Sequence, residues 1–240
     1  MNRILTQLDE TYAVFQPESG FRFGIDALLL AGAVRCEQNE VGCELGTGCG
    51  VIPVLLKKRR DFARIYAIEI DPDMASLARE NVRRNGMTDS VRVIEGDLKD
   101  ARKLLPEACD FVFANPPYRK ADEGGKPSSA RHELLCTISE VCRAAGEILV
   151  HNGRFTVIWP AKRLTDLMVA LRDAGVEPKE MIPVVPLRGG GAKFVIVTAK
   201  KGAKPGLAVS PAFVLRERDG GETGACRVLY ERGVLTEEEG

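Results

Sequence analysis

The run VGCELGTGCGVIPVLLKKR, Val41 to Arg59, decides how the chain folds. VGCEL has the length and apolar character of a buried strand. Glycines at 46, 48 and 50 then break it, and VIPVLLKKR resumes as a helix. A strand that turns through glycines into a helix opens a βαβ unit. The same alternation continues outward. ARIYAIEID (63–71) reads as a second strand, PDMASLARENVRRNG (72–86) as a helix with Pro72 at its start and Gly86 closing it, and SVRVIEGDL (90–98) as a third strand. A short helix near 99–106 leads to DFVFANPPY (110–118), a strand broken by two prolines. Helix 133–145, strand 153–160 and a helix from 161 to 175 follow. Strands are expected at EMIPVVP, KFVIVTAKK and AFVLRERDGGETG, the last ending the chain as strand and turn.

Strands alternating with helices from about 40 to 175 predict an α/β fold: a Rossmann-like, doubly wound, mainly parallel sheet. Seven strands are expected, with an antiparallel edge where the last strands lack an intervening helix. With no repeats or low-complexity linker, residues 1–240 are read as one domain. Residues 1–40 are read as an N-terminal helical extension, with IDALLLAGAVR (25–35) as its apolar helix, and 41–240 as the core.

Composition narrows the function. Apolar residues make up 45% and charged residues 28%, as in ordinary globular proteins. No apolar run approaches a membrane span, and the acidic N-terminus is not a secretory signal, so a cytoplasmic protein without a membrane partner is expected. Seven scattered cysteines without a CxxC pair, and two histidines, argue against a structural metal. A formal net charge of zero argues against coating nucleic acid by bulk electrostatics, though not against a local basic patch.

Three strand ends carry candidate binding groups. In ELGTGCG, the glycines allow a tight turn and close approach of a ligand, and Glu44 just before them suits a cationic or amino-bearing ligand better than a pyrophosphate. By itself the turn could be a plain glycine turn. Glu69 ends the second strand about twenty residues on, where a ribose-binding carboxylate belongs in such folds. Asp71 reads as a helix N-cap ahead of Pro72. Asp97 could accept from an adenine amino group, or equally cap the following helix. Together they describe one crevice at the carboxyl edge of a parallel sheet, suited to an adenosine-containing ligand without phosphate.

ELGTGCG, AIEID, EGDL and ANPPY, in that order, resemble the motifs of class I S-adenosylmethionine-dependent methyltransferases, and the NPPY tetrad resembles the branch that methylates amino or amide nitrogen. The resemblance implies S-adenosylmethionine as cofactor, held by Glu44, Gly46, Gly48, Gly50, Glu69 and Asp97, with Asn115 beside it. FRFGIDALLLAGAV (21–34), ARHE (130–133) and the closing strands are similar to the bacterial tRNA1(Val) adenine-37 methyltransferase group. That likeness implies an RNA partner, a tRNA, and puts Asp26 near the cofactor.

The 6-amino group of adenine is a poor nucleophile because its lone pair is delocalised. A site helps by accepting hydrogen bonds from both amine protons. Asn115 offers a side-chain oxygen and Pro116 a backbone carbonyl, while Pro116 and Pro117 fix the turn that aims them. Tyr118 offers a flat face for an unstacked base. Arg119, Lys120, Lys126 and Arg131 are expected to grip phosphates around a flipped base, or to be a solvated loop. No cysteine is expected at the site; His132 and His151 read as exposed or capping rather than as a general base, and Trp159 as core or cleft wall rather than a base-stacking platform. Arg188, Lys193, Lys200, Lys201 and Lys204 read as a second basic surface or as edge protection. Two rival readings stand beside RNA methylation. A glutamine-amide methyltransferase of the release-factor type would carry a helical substrate domain before the glycine turn, for which forty residues are expected to be too few. A non-catalytic binding protein would have no use for an intact Asn115-Pro116-Pro117-Tyr118.

Overall fold

The computed structural model describes residues 2–19, 22–59, 62–117 and 136–235. In chain order the elements are β1 (Arg3–Gln7), β2 (Ala13–Pro17), α1 (Ile25–Ala33), β3 (Val41–Leu45), α2 (Val51–Arg59), β4 (Arg64–Glu69), α3 (Pro72–Arg84) and β5 (Val91–Glu95). They continue with a 3-10 turn (Leu98–Asp100), α4 (Ala101–Leu104), β6 (Cys109–Ala114), α5 (Ile138–Ile148), β7 (Leu149–Pro160) and a second 3-10 turn (Ala161–Arg163). The remainder is α6 (Leu164–Asp173), β8 (Val176–Leu187), β9 (Phe194–Lys201), β10 (Ala208–Val209), β11 (Phe213–Arg216) and α7 (Gly224–Arg232).

The main sheet runs β10-β8-β9-β7-β6-β3-β4-β5, with β11 also pairing β8. The seven long strands match the expected sheet, and the short β10 and β11 extend it to nine. Strands β3 to β7 pair in parallel, and β9 runs antiparallel to both β7 and β8. Two apolar layers sandwich the sheet. One joins α1, α2, α3 and Leu229 of α7 to Phe111 and Phe113. The other joins α4, α5 and α6 to Val112, Phe155 and Trp159. Side chains of one strand alternate between the layers, as the period of two requires.

Helix α3 shows the local logic. Asp71 accepts from the N–H groups of Asp73 and Met74, and Pro72 takes the first helical position, where no N–H is needed. Met74, Leu77, Ala78 and Val82 bury one stripe. Gly86, at φ 66°, ends it.

The N-terminus corrects one expectation. Residues before α1 form a β1–β2 hairpin rather than a helical extension. Asp9 starts the reversal, its carboxylate accepting from Thr11 N–H and Tyr12 N–H, both at 2.7 Å. The hairpin is fixed to α3 by two asparagines one turn apart. Asn85 accepts from Ala13 N–H at 3.2 Å and donates to Ala13 C=O at 2.9 Å. Asn81 does the same to Phe15, at 2.7 and 2.9 Å. The two amides thus stand in for the neighbouring strand that β2 lacks on that side. The C-terminus also differs: α7 follows the expected turn, capped by Thr223, whose hydroxyl accepts from Cys226 N–H at 3.0 Å.

Candidate active site

Strand register brings the site together. Leu45 pairs with Ile68 and Glu44 with Phe113, so Gly46, Glu69 and Asn115 stand level at the carboxyl ends of β3, β4 and β6. Between β3 and β6 the chain order reverses across the sheet, and a crevice opens there in open α/β folds. The cleft is lined by Phe23, Glu44, Gly46, Thr47, Met74 and Asn115.

The glycine turn follows the sequence. Gly46, Gly48 and Gly50 have φ of 77°, 57° and 77°, where side-chain-bearing residues are strained. A Cβ on Gly46 would meet nothing within 4 Å, so the turn is open to a ligand on that side. A Cβ on Gly50 would come within 3.2 Å of Ala78 Cβ, so that glycine serves packing onto α3. From beneath, Gly46 N–H and Thr47 N–H both donate to Ile68 C=O at 3.0 Å. Glu69 is buried, and its two oxygens accept from Gly48 N–H at 2.7 Å and Asp71 N–H at 2.9 Å. Each oxygen keeps a second lone pair for a further donor. Glu44 is also buried and accepts from the Thr47 hydroxyl. Burial holds its carboxyl well above the usual range, with the nearby Glu69 charge adding to the effect against the Thr47 hydrogen bond. Open backbone over Gly46, a strand-end carboxylate with spare acceptor capacity and a buried acid lining the cleft fit an adenosyl cofactor bearing an amino group.

Across the cleft, Asn115 Nδ2 donates to Asp26 Oδ2 at 2.8 Å. A carboxylate only accepts, so the atom facing it is the amide nitrogen, and Asn115 Oδ1 turns the other way. Asp26 also accepts from Gly24 N–H at 3.1 Å. The hairpin sets this approach to α1: buried Gln16 accepts from Phe23 N–H at 3.1 Å and donates to Thr6 Oγ1 at 2.7 Å. Asp97 takes the capping alternative, accepting from Lys99 N–H at 2.9 Å and pairing with Lys99 Nζ at 3.1 Å.

The chain matches the methyltransferase small domain family over residues 19–171, more than half its length. The protein belongs to that family. A relative from Porphyromonas gingivalis, named tRNA1(Val) (adenine(37)-N6)-methyltransferase, is 31% identical over 166 residues, 65% of each chain. The chain therefore spans just under two thirds of that relative's length. A relative of the same name from Bacteroides thetaiotaomicron is 26% identical over 192 residues, 78% of this chain and 80% of its own. Among solved structures, a predicted O-methyltransferase from Agrobacterium tumefaciens superposes with a TM-score of 0.74 at 20% identity, covering 90% of this chain and all of that one, 100%. The M. jannaschii tRNA m1G37 methyltransferase gives 0.59 at 14% identity, covering 84% of this chain and 57% of its own. At such identities the likeness is one of fold.

In this methyltransferase small domain, some residues singled out from the sequence fall elsewhere. Cys49 lines the cleft, contrary to the expectation of no cysteine there. Burial pushes its thiol up to about 12, so it stays protonated and is no nucleophile at neutral pH. Trp159 is core, its Nε1–H donating to Arg163 C=O at 3.0 Å, and His151 is exposed. Arg188 pairs with Glu217 at 2.5 and 3.0 Å, and Lys201 donates to Leu149 C=O at 2.7 Å, so part of the second basic set serves the sheet edge. Tyr118, Arg119, Lys120, Lys126, Arg131 and His132 lie outside the described residues. Asn81 was not foreseen. It is fully buried, and besides Phe15 it reaches Cys49 C=O in the glycine turn at 2.8 Å. Its place in ARENVRRNG, four residues before Asn85, was the available signal. Among the described residues no cluster of His, Cys, Asp and Glu could hold a metal, and no helix is long and apolar enough to cross a membrane.

Proposed function

We propose that this protein methylates the exocyclic 6-amino group of an adenine in RNA, a tRNA anticodon-loop base, in the cytoplasm and with S-adenosylmethionine as cofactor. The observation that carries the proposal is the Asn115 amide, oriented by Asp26 at 2.8 Å and level with Gly46 across paired strands. When bound, the cofactor supplies an electrophilic methyl group on a sulfonium. The chain's part is orientation. Asn115 Oδ1 accepts one proton of the amine and the Pro116 carbonyl the other, which favours a lone pair directed at the methyl. Glu69 accepts from the ribose hydroxyls through its remaining lone pairs, and Glu44 faces the amino-bearing end. Asp97 reaches the adenine of the cofactor only by sharing its capping role. The names of the tRNA-modifying relatives favour adenine over glutamine.

The test is transfer of labelled methyl to total tRNA, ribosomal RNA and release factors offered separately. Label in tRNA is the expected result. Label in release factor and not in RNA would overturn the reading in favour of amide methylation.

A further inference from the structure

A second cavity, larger than the cleft, lies apart from it. It lies at the amino ends of β4 and β5, against the last turns of α3, with a volume of about 610 Å³. Arg64, Arg79, Arg83 and Arg92 line it, with Asp89 as the one acid. In a chain of zero formal net charge, four arginines along one groove form a marked local excess. One is already engaged: Arg79 pairs with Glu95 at 3.4 Å. Arg83 and Arg92 are exposed and form no ion pair with any described residue. The groove flanks β5, the last strand of the sheet, so nothing in the sheet covers it.

Register fixes its distance from the site. Asn115 stands level with Glu95, three strands away, and Arg92 lies three residues back along β5. At about 4.8 Å between strands and about 3.3 Å per residue, the separation is roughly 18 Å. An RNA that extends beyond the reacting base spans that distance.

We propose that this groove is a second RNA contact, in which Arg83 and Arg92 take backbone phosphates remote from the methylated base. Guanidinium forks match phosphate oxygens in pairs, and such contacts position a nucleic acid without reading its sequence. The inference rests on the RNA reading of the cleft.

The test compares wild type with the Arg83→Gln/Arg92→Gln double variant, using an unmodified full-length tRNA transcript and fluorescence anisotropy across a salt series. The variant should bind about tenfold more weakly at low salt. Its slope of log affinity against log salt should be shallower by about 1 to 2, one counterion-releasing contact having gone per arginine. Melting temperature and S-adenosylmethionine affinity serve as folding controls. Wild type that methylates tRNA, with a variant of unchanged affinity and slope, would overturn the groove alone; an acidic protein segment paired to the β5 edge would then be its occupant. Wild type that neither binds nor methylates tRNA would overturn the RNA reading and the groove with it.

Discussion

The glycine-turn wall of the cleft is held from within the sheet, while the Asn115 wall is held from outside it. Gly46, Thr47 and Gly48 hang on Ile68 and Glu69 of the adjacent strand, within a few residues of two paired strands. Asn115 is instead fixed by Asp26, 89 positions earlier, on a helix whose approach is set by a hairpin clamped to α3. The first wall follows from the parallel sheet itself. The second needs a separate segment to fold onto it. The two meet at Asn81, which binds β2 and the carbonyl of Cys49 at once. The difference suggests a division of labour: the inner wall for the cofactor, the outer wall for the acceptor.

The largest effect should come from Asn115→Ala. Loss of a preorganised polar contact of this kind costs about 10²–10³-fold in turnover. Cofactor affinity by calorimetry should stay within about twofold; a parallel loss of affinity would erase the division. Asp26→Asn comes next. Its amide can donate as well as accept, so it no longer dictates which end of Asn115 faces the acceptor. Turnover should fall by up to about 100-fold, the scale of a small misplacement, with the cofactor Kd little changed. Asn81→Ala orphans both Phe15 backbone groups and the Cys49 carbonyl. Urea unfolding should show a loss of about 2 kcal/mol, as for buried groups left unpaired. Unlike the first two variants, this one should weaken cofactor and acceptor binding together.

The last effect concerns Glu44 and depends on pH. Burial raises its pKa in the folded protein, whereas unfolded it ionises near about 4.3. Its contribution to stability is therefore present below that value and is lost as pH rises toward the folded pKa. Glu44→Gln should reduce the fall in cofactor-free stability between pH 5 and pH 8, by at most about 1.4 kcal/mol per pH unit. An unchanged pH profile would mean that Glu44 is charged in the empty cleft.

The inner wall was legible in the sequence because its signals are local. Three glycines in five residues demand positive φ, and a carboxylate at the next strand end follows from the fold. Asp71 and Pro72 likewise announced the start of α3. The outer wall was legible only in part. NPP marked the turn at Asn115, and Asp26 was assigned to the cofactor's vicinity, but its bond to the Asn115 amide joins residues that no spacing rule connects. The hairpin was missed because β1 and β2 have five residues each and their support comes from asparagines on a distant helix. The α7 helix was missed because nine residues with three buried positions give a weak periodic signal. Cys49 was overlooked as a cleft residue although it sits inside GTGCG.

The most direct test of the account is nucleoside analysis of an unmodified tRNA after incubation with the protein and S-adenosylmethionine. Digestion and mass spectrometry should find N6-methyladenosine at a single anticodon-loop position, and none with Asn115→Ala. Methyl on a ring nitrogen or on another base, or N6-methyladenosine undiminished in the variant, would contradict it.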